Sequence, residues 1–229
     1  MNTPFVAWDI ETVTSGGHGL DPNEGGILSI AAAAYSDCEP DSPPTSTFYA
    51  SVLESVPAEL RPRTFADPSE EAVLFAFNRW LGRATPDWIA GPLVGWNSSC
   101  FDAPFAFRRA ELLRVRIDLS LSFAPDIVSK YPPLPGFHGG YEHNWTPEWF
   151  GVDLAYSAYS RGNCEHWGVR HRLKDGAEHF GITDGVRVDA SKVSDLSGDD
   201  LRAYNLSDVR LTAELYKRHV REVEASRAR

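Results

Sequence analysis

Asp9 and Glu11 stand two apart in the run Phe5-Val6-Ala7-Trp8-Asp9-Ile10-Glu11-Thr12. Side chains on a strand alternate between faces, so the two carboxylates project from the same side. Held close together they repel, and each makes the other harder to ionise. A cation relieves that cost, and Mg²⁺ or Mn²⁺ suits an all-oxygen donor set. Taken alone, so short a stretch is more simply a strand that ends in solvent with two ordinary surface acids. Asp102 follows Gly95-Trp96-Asn97-Ser98-Ser99-Cys100-Phe101 and falls at a strand-to-helix junction. Open α/β sheets hold ligands at such junctions, although a helix N-cap also places an Asp there. Tyr204 and Asp208 are four apart in Ala203-Tyr204-Asn205-Leu206-Ser207-Asp208. On a helix they share one face. A partly buried Tyr above a surface acid would account for the same pair.

The elements that must position these residues are readable in outline. Residues 4–10 form an apolar first strand, and residues 12–26, rich in Gly, Ser, Asp and Asn, read as a loop. Residues 27–35 contain four successive alanines, which favour helix by propensity, but their position after a turn favours a second strand. Residues 47–53 alternate as a third strand, so the sheet begins as an antiparallel meander. Asp67-Pro68-Ser69-Glu70-Glu71 opens a helix that continues through Phe75, Phe77, Trp80 and Leu81. Residues 91–96 are expected as a fourth strand, 97–100 as a turn and 102–113 as a helix carrying Phe105, Phe107 and Leu112. Residues 117–168 hold many aromatics and prolines and are too long for an idle connection. They are expected to form an aromatic-rich insertion beside the site, with a short fifth strand near 152–154. A helix over 170–180 ends at Gly181, and Ser197 to Asp200 opens a last helix reaching about residue 224. No internal repeat or linker divides residues 1–229, which are expected to form one domain.

Composition narrows the function. The chain of 229 residues is 42% hydrophobic and 24% charged, ordinary for a globular protein. Its formal net charge of -10 argues against sequence-independent coating of nucleic acid, which needs a basic surface. An enzyme that grips a short stretch is compatible with it, because bound divalent ions supply positive charge where a phosphate sits. No apolar run approaches about 18 residues, so no membrane-spanning helix is expected, and no leader pattern opens the chain. Cys38, Cys100 and Cys164 are odd in number and widely spaced, which fits a reducing, cytoplasmic setting.

In order and spacing, Asp9, Glu11, Asp102 and Asp208 resemble the four acids of the DEDD exonucleases, a branch of the ribonuclease-H-like superfamily. Tyr204, four residues before Asp208, matches the DEDDy branch of that family. The words Trp8-Asp9-Ile10-Glu11-Thr12, Gly95-Trp96-Asn97-x-x-x-Phe101-Asp102-x-Pro104-Phe105 and Tyr204-Asn205-x-x-Asp208 are similar to the proofreading domain of family B DNA polymerases. The resemblance spans about residues 4–220. It departs at Trp8 and Trp96, where Phe and Tyr or His are more usual, and in the enlarged region 117–168. With no polymerase domain, the resemblance is to a stand-alone exonuclease.

The resemblance implies an α/β fold with a ribonuclease-H-like, mixed five-stranded sheet flanked by helices. It implies a 3′–5′ exonuclease that uses two ions, Mg²⁺ or Mn²⁺, to release nucleoside 5′-monophosphates from single-stranded DNA. Asp9 would bridge both ions, Glu11 and Asp208 would hold the one that activates water, and Asp102 would support the other. Tyr204 would orient the attacking water. The backbone from Ile10 to Thr12 would lie against the terminal nucleotide, while Asn97 and Phe101 would hold the strand and wedge its last bases. A turn-forming Asn and a core Phe are the plainer accounts of that last pair. Arg108, Arg109, Arg170, His171, Arg172 and Lys174 could meet phosphates or simply line solvated helix faces. Cys164 and His166 with His143 or His171 match no usual zinc spacing. Related sites trim RNA, so an exoribonuclease is the alternative enzyme, and an inactive nucleic-acid-binding accessory protein is the alternative without catalysis. A service in DNA repair or replication follows from the DNA reading.

Overall fold

The computed structural model describes residues 4–14, 22–54, 56–61, 69–84, 93–96, 98, 101–116, 152–153, 173–182 and 186–227. The strands are β1 (Phe5–Thr14), β2 (Gly25–Tyr35), β3 (Ser46–Ser51), β4 (Leu93–Gly95) and β5 (Val152–Asp153). The helices are α1 (Glu70–Ala84), α2 (Asp102–Leu113), α3 (Leu173–His179) and α4 (Gly198–Arg227). Short 3₁₀ turns lie at Ala58–Leu60 and Ala190–Asp195. The strands form one mixed sheet in the order β3-β2-β1-β4-β5. β1 is antiparallel to β2 and parallel to β4, so it lies at the seam between the two kinds of pairing.

The alanine run shows tertiary context overriding propensity. β2 is covered on both faces, and its residues from Ile27 to Tyr35 are all buried. Ala32 and Ala34 face the layer that contains α1, while Ala31 and Ala33 face the layer that contains α4. Small side chains on both faces let the helices approach a central strand closely. On the α1 side, Trp8 stacks on Phe77 with ring centroids 5.6 Å apart, and Phe48 packs against Phe77 and Trp80. On the α4 side, Phe5 stacks on Tyr35 at 4.7 Å and meets Tyr216 at 4.8 Å. Each aromatic buried this way contributes roughly 1.5–3 kcal/mol relative to exposure. Together these layers fix β1, the strand that carries Asp9 and Glu11.

Local signals hold the helix ends. The Ser69 hydroxyl accepts from the Ala72 amide at 3.2 Å ahead of α1, whose first turn carries Glu70 and Glu71. The Ser197 hydroxyl accepts from the Asp200 amide at 3.3 Å and donates to the Asp200 carboxylate at 2.6 Å, capping α4 as its sequence predicts. Gly181, at φ 75°, ends α3, and the Ile182 amide closes back on the Ala177 carbonyl at 2.8 Å.

β1 differs from expectation by running on to Thr14. Pairing of Thr12 with Ile27, Val13 with Gly26 and Thr14 with Gly25 carries the ladder into what the composition marks as loop. The register shifts between Glu11 and Thr12, and Leu28 on β2 is the unpaired residue. This bulge turns Leu28 toward α4, where it packs with Leu201 and Tyr204. The expected aromatic insertion over 117–168 lies outside the described residues except for β5. Among the described residues, no helix is long and apolar enough to cross a membrane.

Candidate metal centre

Asp9 and Glu11 project from the α4 face of β1. This follows from alternation with Phe5 and Ala7, whose side chains pack in the α4 layer, and with Trp8 and Ile10, which pack in the opposite layer. α4 crosses that face and brings Asp208 to the pair. One carboxylate oxygen from each of Asp9, Glu11 and Asp208 lies within 4.8 Å of the others. Asp208 is buried, whereas Asp9 and Glu11 keep part of their surface open. Three acids from two elements thus face one opening.

Asp102 comes from the other side of the sheet seam. Gly95 ends β4 in a turn so tight that a Cβ there would sit 2.3 Å from Ser98 Cβ and 3.4 Å from Trp8 Nε1. Only glycine fits this approach. The Ala103 amide then donates to the Ser98 carbonyl at 2.9 Å, and α2 begins with Asp102. Phe101 occupies the N-cap position and makes no side-chain cap, so Asp102 is the first helical residue and not the cap. Its side chain is buried, and its charge bears on Asp9. It stands near the three-acid group without belonging to it.

The electrostatics follow from that crowding. Burial, then the charges of Glu11, Asp102 and Asp208, hold the Asp9 carboxyl well above the usual range. Burial and the Asp208 charge push Glu11 up to about 8. Burial raises Asp208 as well, although Lys174 opposes it. The Lys174 ammonium donates to Asp208 Oδ2 at 3.0 Å and lies 2.9 Å from Oδ1. The second approach is not aligned for a hydrogen bond, and Oδ1 is buried with no such partner among the described residues. The same ammonium sits 3.8 Å above the Tyr204 ring. Burial and the charges of Asp208, Glu11 and Asp9 raise the Tyr204 phenol, which therefore stays protonated across working pH.

The donor set suits a divalent cation. It is all oxygen, it is short of positive charge, and it includes a buried carboxylate oxygen without a hydrogen bond. Lys174 supplies one charge against three nearby acids.

Other residues singled out by sequence fall elsewhere. Ile10 is buried in the layer of α1, so only its backbone remains available to a ligand. Thr12 is half-buried beyond the bulge. Phe101 is half-buried, with its ring 5.4 Å from Phe105 and against the core. Asn97 lies outside the described residues, as do Arg170, His171, Arg172 and the zinc candidates Cys164, His166 and His143. Arg109 is engaged in an ion pair away from the acids. It donates to both Glu70 oxygens at 2.6 Å and to the Pro22 carbonyl at 3.0 Å. Arg108 donates to Asn23 and to Glu111. Of the basic residues named from sequence, Lys174 is the one placed at the acids among the described residues. Asn205, named in the motif word but given no role from sequence, donates to Asp9 Oδ2 at 2.7 Å.

No protein-family model matches the chain, and no curated protein matches it by sequence. Among solved structures it is similar to the family B DNA polymerase from the hyperthermophilic archaeon Pyrobaculum calidifontis. The TM-score is 0.56 at 20% identity, over 95% of this chain and 24% of that one. At that identity the likeness is one of fold: this chain has an α/β architecture that a family B DNA polymerase contains within about a quarter of its length.

Proposed function

We propose that the chain is a DEDDy-type 3′–5′ exonuclease with a ribonuclease-H-like fold, acting on single-stranded DNA ends. The observation that carries this reading is the meeting of Asp9, Glu11 and Asp208 from β1 and α4, with Tyr204 one helical turn before Asp208. The likeness to a DNA polymerase supports a DNA substrate. Asp9, Glu11 and Asp208 would hold Mg²⁺ or Mn²⁺, with Asp102 supporting a second ion from the start of α2. When bound, such ions supply Lewis acidity to the attacking water and to the scissile phosphate.

The chain's own residues do the rest. Tyr204 keeps its proton, so its hydroxyl donates to and orients the water and does not serve as the base. Lys174 steadies Asp208 through its carboxylate. The backbone from Ile10 to Thr12, with Asn97 and Phe101, would seat the last nucleotides. Water adds to phosphorus and gives up a proton to solvent, the bond to the 3′ oxygen breaks as that oxygen takes up a proton, and a nucleoside 5′-monophosphate leaves. The shortened nucleic-acid strand keeps a 3′ hydroxyl for the next cycle.

The test pairs 5′-labelled DNA and RNA oligomers of one sequence with Mg²⁺ or Mn²⁺ and an Asp208→Ala control. Stepwise shortening of DNA, lost in the variant, is expected. Shortening of RNA alone would move the activity to an exoribonuclease, and shortening of neither would end the nuclease reading.

A further inference from the structure

We propose that Asn205 is a positioning residue that orients Asp9 for metal binding, itself held by Ser29. This rests on the divalent-metal reading above and adds to it a residue that neither binds the ion nor touches substrate. Asn205 is wholly buried on α4, between Tyr204 and Asp208. Its amide faces Asp9 Oδ2 at 2.7 Å. A metal ligand must be ionised, and an ionised carboxylate only accepts, so in the metal-binding form the atom turned toward Asp9 is Nδ2 and not Oδ1. The other end of the amide faces the Ser29 hydroxyl, which lies 3.5 Å from Oδ1, a long hydrogen bond. Ser29 is also wholly buried and sits on β2 opposite Glu11.

The arrangement depends on the bulge. Ser29 and Leu28 are adjacent, yet both serve the α4 side of the sheet: Ser29 through Asn205, Leu28 by packing on Tyr204. A regular strand would send one of them to the opposite face. The bulge at Leu28 therefore brings β2 into the support of two neighbouring residues of α4 at once. Rotation of the Asp9 carboxylate would break its hydrogen bond to Asn205. Flipping Asn205 would lose Ser29 and set Oδ1 against a carboxylate. The short bond from Asn205 thus favours one orientation of the acid that faces both Glu11 and Asp208, with the longer Ser29 contact biasing the amide the same way. Outer partners of metal ligands commonly set affinity by about 10–100-fold.

The test is direct titration of Mn²⁺, read by loss of the free-ion electron paramagnetic resonance signal, into the full chain without nucleic acid. Wild type, Asn205→Ala, Ser29→Ala and Asp9→Ala are compared, with thermal melts as the fold check. Asn205→Ala is expected to weaken Mn²⁺ binding about tenfold or more, and raised Mn²⁺ restores its oligonucleotide cleavage. Ser29→Ala is expected to weaken it by about twofold or more, the low end for one hydrogen bond. If Asn205→Ala does not fold, Ser29→Ala decides the matter. Wild-type affinity in a folded Asn205→Ala protein, with binding abolished in Asp9→Ala, overturns the positioning role and leaves the metal reading standing. Absence of Mn²⁺ binding by wild type overturns both.

Discussion

Two acid–cation pairs lie in this molecule at similar depth, and they are built to different ends. Arg109 and Glu70 pair at 2.6 Å with side chains 16% and 14% exposed, and Lys174 and Asp208 pair at 2.9 Å with 14% and 10%. In the first, a planar guanidinium meets both oxygens of one carboxylate. Glu70 also accepts from the Ile27 amide at 2.9 Å, and Arg109 reaches the Pro22 carbonyl. It ties α1 and α2 to the start of β2 and leaves no charge over. In the second, a compact ammonium meets an acid that has two more acids beside it, and one oxygen of Asp208 lacks a hydrogen bond among the described residues. The first pair is closed and structural. The second is short of positive charge, which a divalent cation would supply.

The largest expected effect falls on the open pair's neighbourhood. Asp9→Ala removes the acid that faces Glu11 and Asp208. It is expected to reduce the proposed nuclease activity by more than about a hundredfold, the upper effect of losing only an outer partner of a ligand. The same change relieves like-charge repulsion but strands the buried Asn205 amide, so the metal-free variant is expected to melt close to wild type. Steady-state cleavage and a thermal melt measure the two together. Arg109→Met inverts the pattern. It strands Glu70 and is expected to cost about 3 kcal/mol of stability by urea denaturation, while Mn²⁺ affinity in the folded protein stays unchanged.

Smaller effects follow from titration and from Lys174. The folded chain holds the Glu11 proton to about pH 8 against a usual value of 4.5, so the folded state binds it more tightly than the unfolded one. That contribution is complete below about 4.5 and is lost as pH rises to about 8. The melting temperature of metal-free wild type, taken relative to Glu11→Gln, is expected to fall across that window. Metal binding releases protons, so Mn²⁺ affinity rises over the same range and saturating Mn²⁺ removes the decline. Lys174→Met leaves Asp208 without its cation. It is expected to lower the metal-free melting temperature by about 2–4 °C, the shift for roughly 1 kcal/mol in a chain of this size, and saturating Mn²⁺ is expected to close the gap.

What sequence could and could not reveal divides along the same line. Chemistry carried by residue type and short spacing was legible: the two acids of β1 share a face, and Tyr204 and Asp208 share a helix face. The apolar runs, the Ser caps and Gly181 marked their elements because those signals are local. Partnerships made across the sheet were not legible. Lys174 was one of several basic residues until α3 set it against α4. Asn205 stood in a motif word without a role, since its partners stand 196 and 176 positions away. The extension of β1 to Thr14 and the bulge at Leu28 come from pairing with β2, which outweighs a loop-like composition. The ion pair of Arg109 likewise joins residues 39 apart, and its solvent-facing reading failed for that reason.

The most direct measurement is anomalous diffraction at the manganese edge from crystals of the wild-type chain soaked in Mn²⁺. The account predicts a peak coordinated by carboxylate oxygens of Asp9, Glu11 and Asp208, at about 2.0–2.2 Å as oxygen ligands of small divalent ions require, and none beside Arg109 and Glu70. Crystals that take up Mn²⁺ elsewhere, or that show no peak between those three acids, would contradict it.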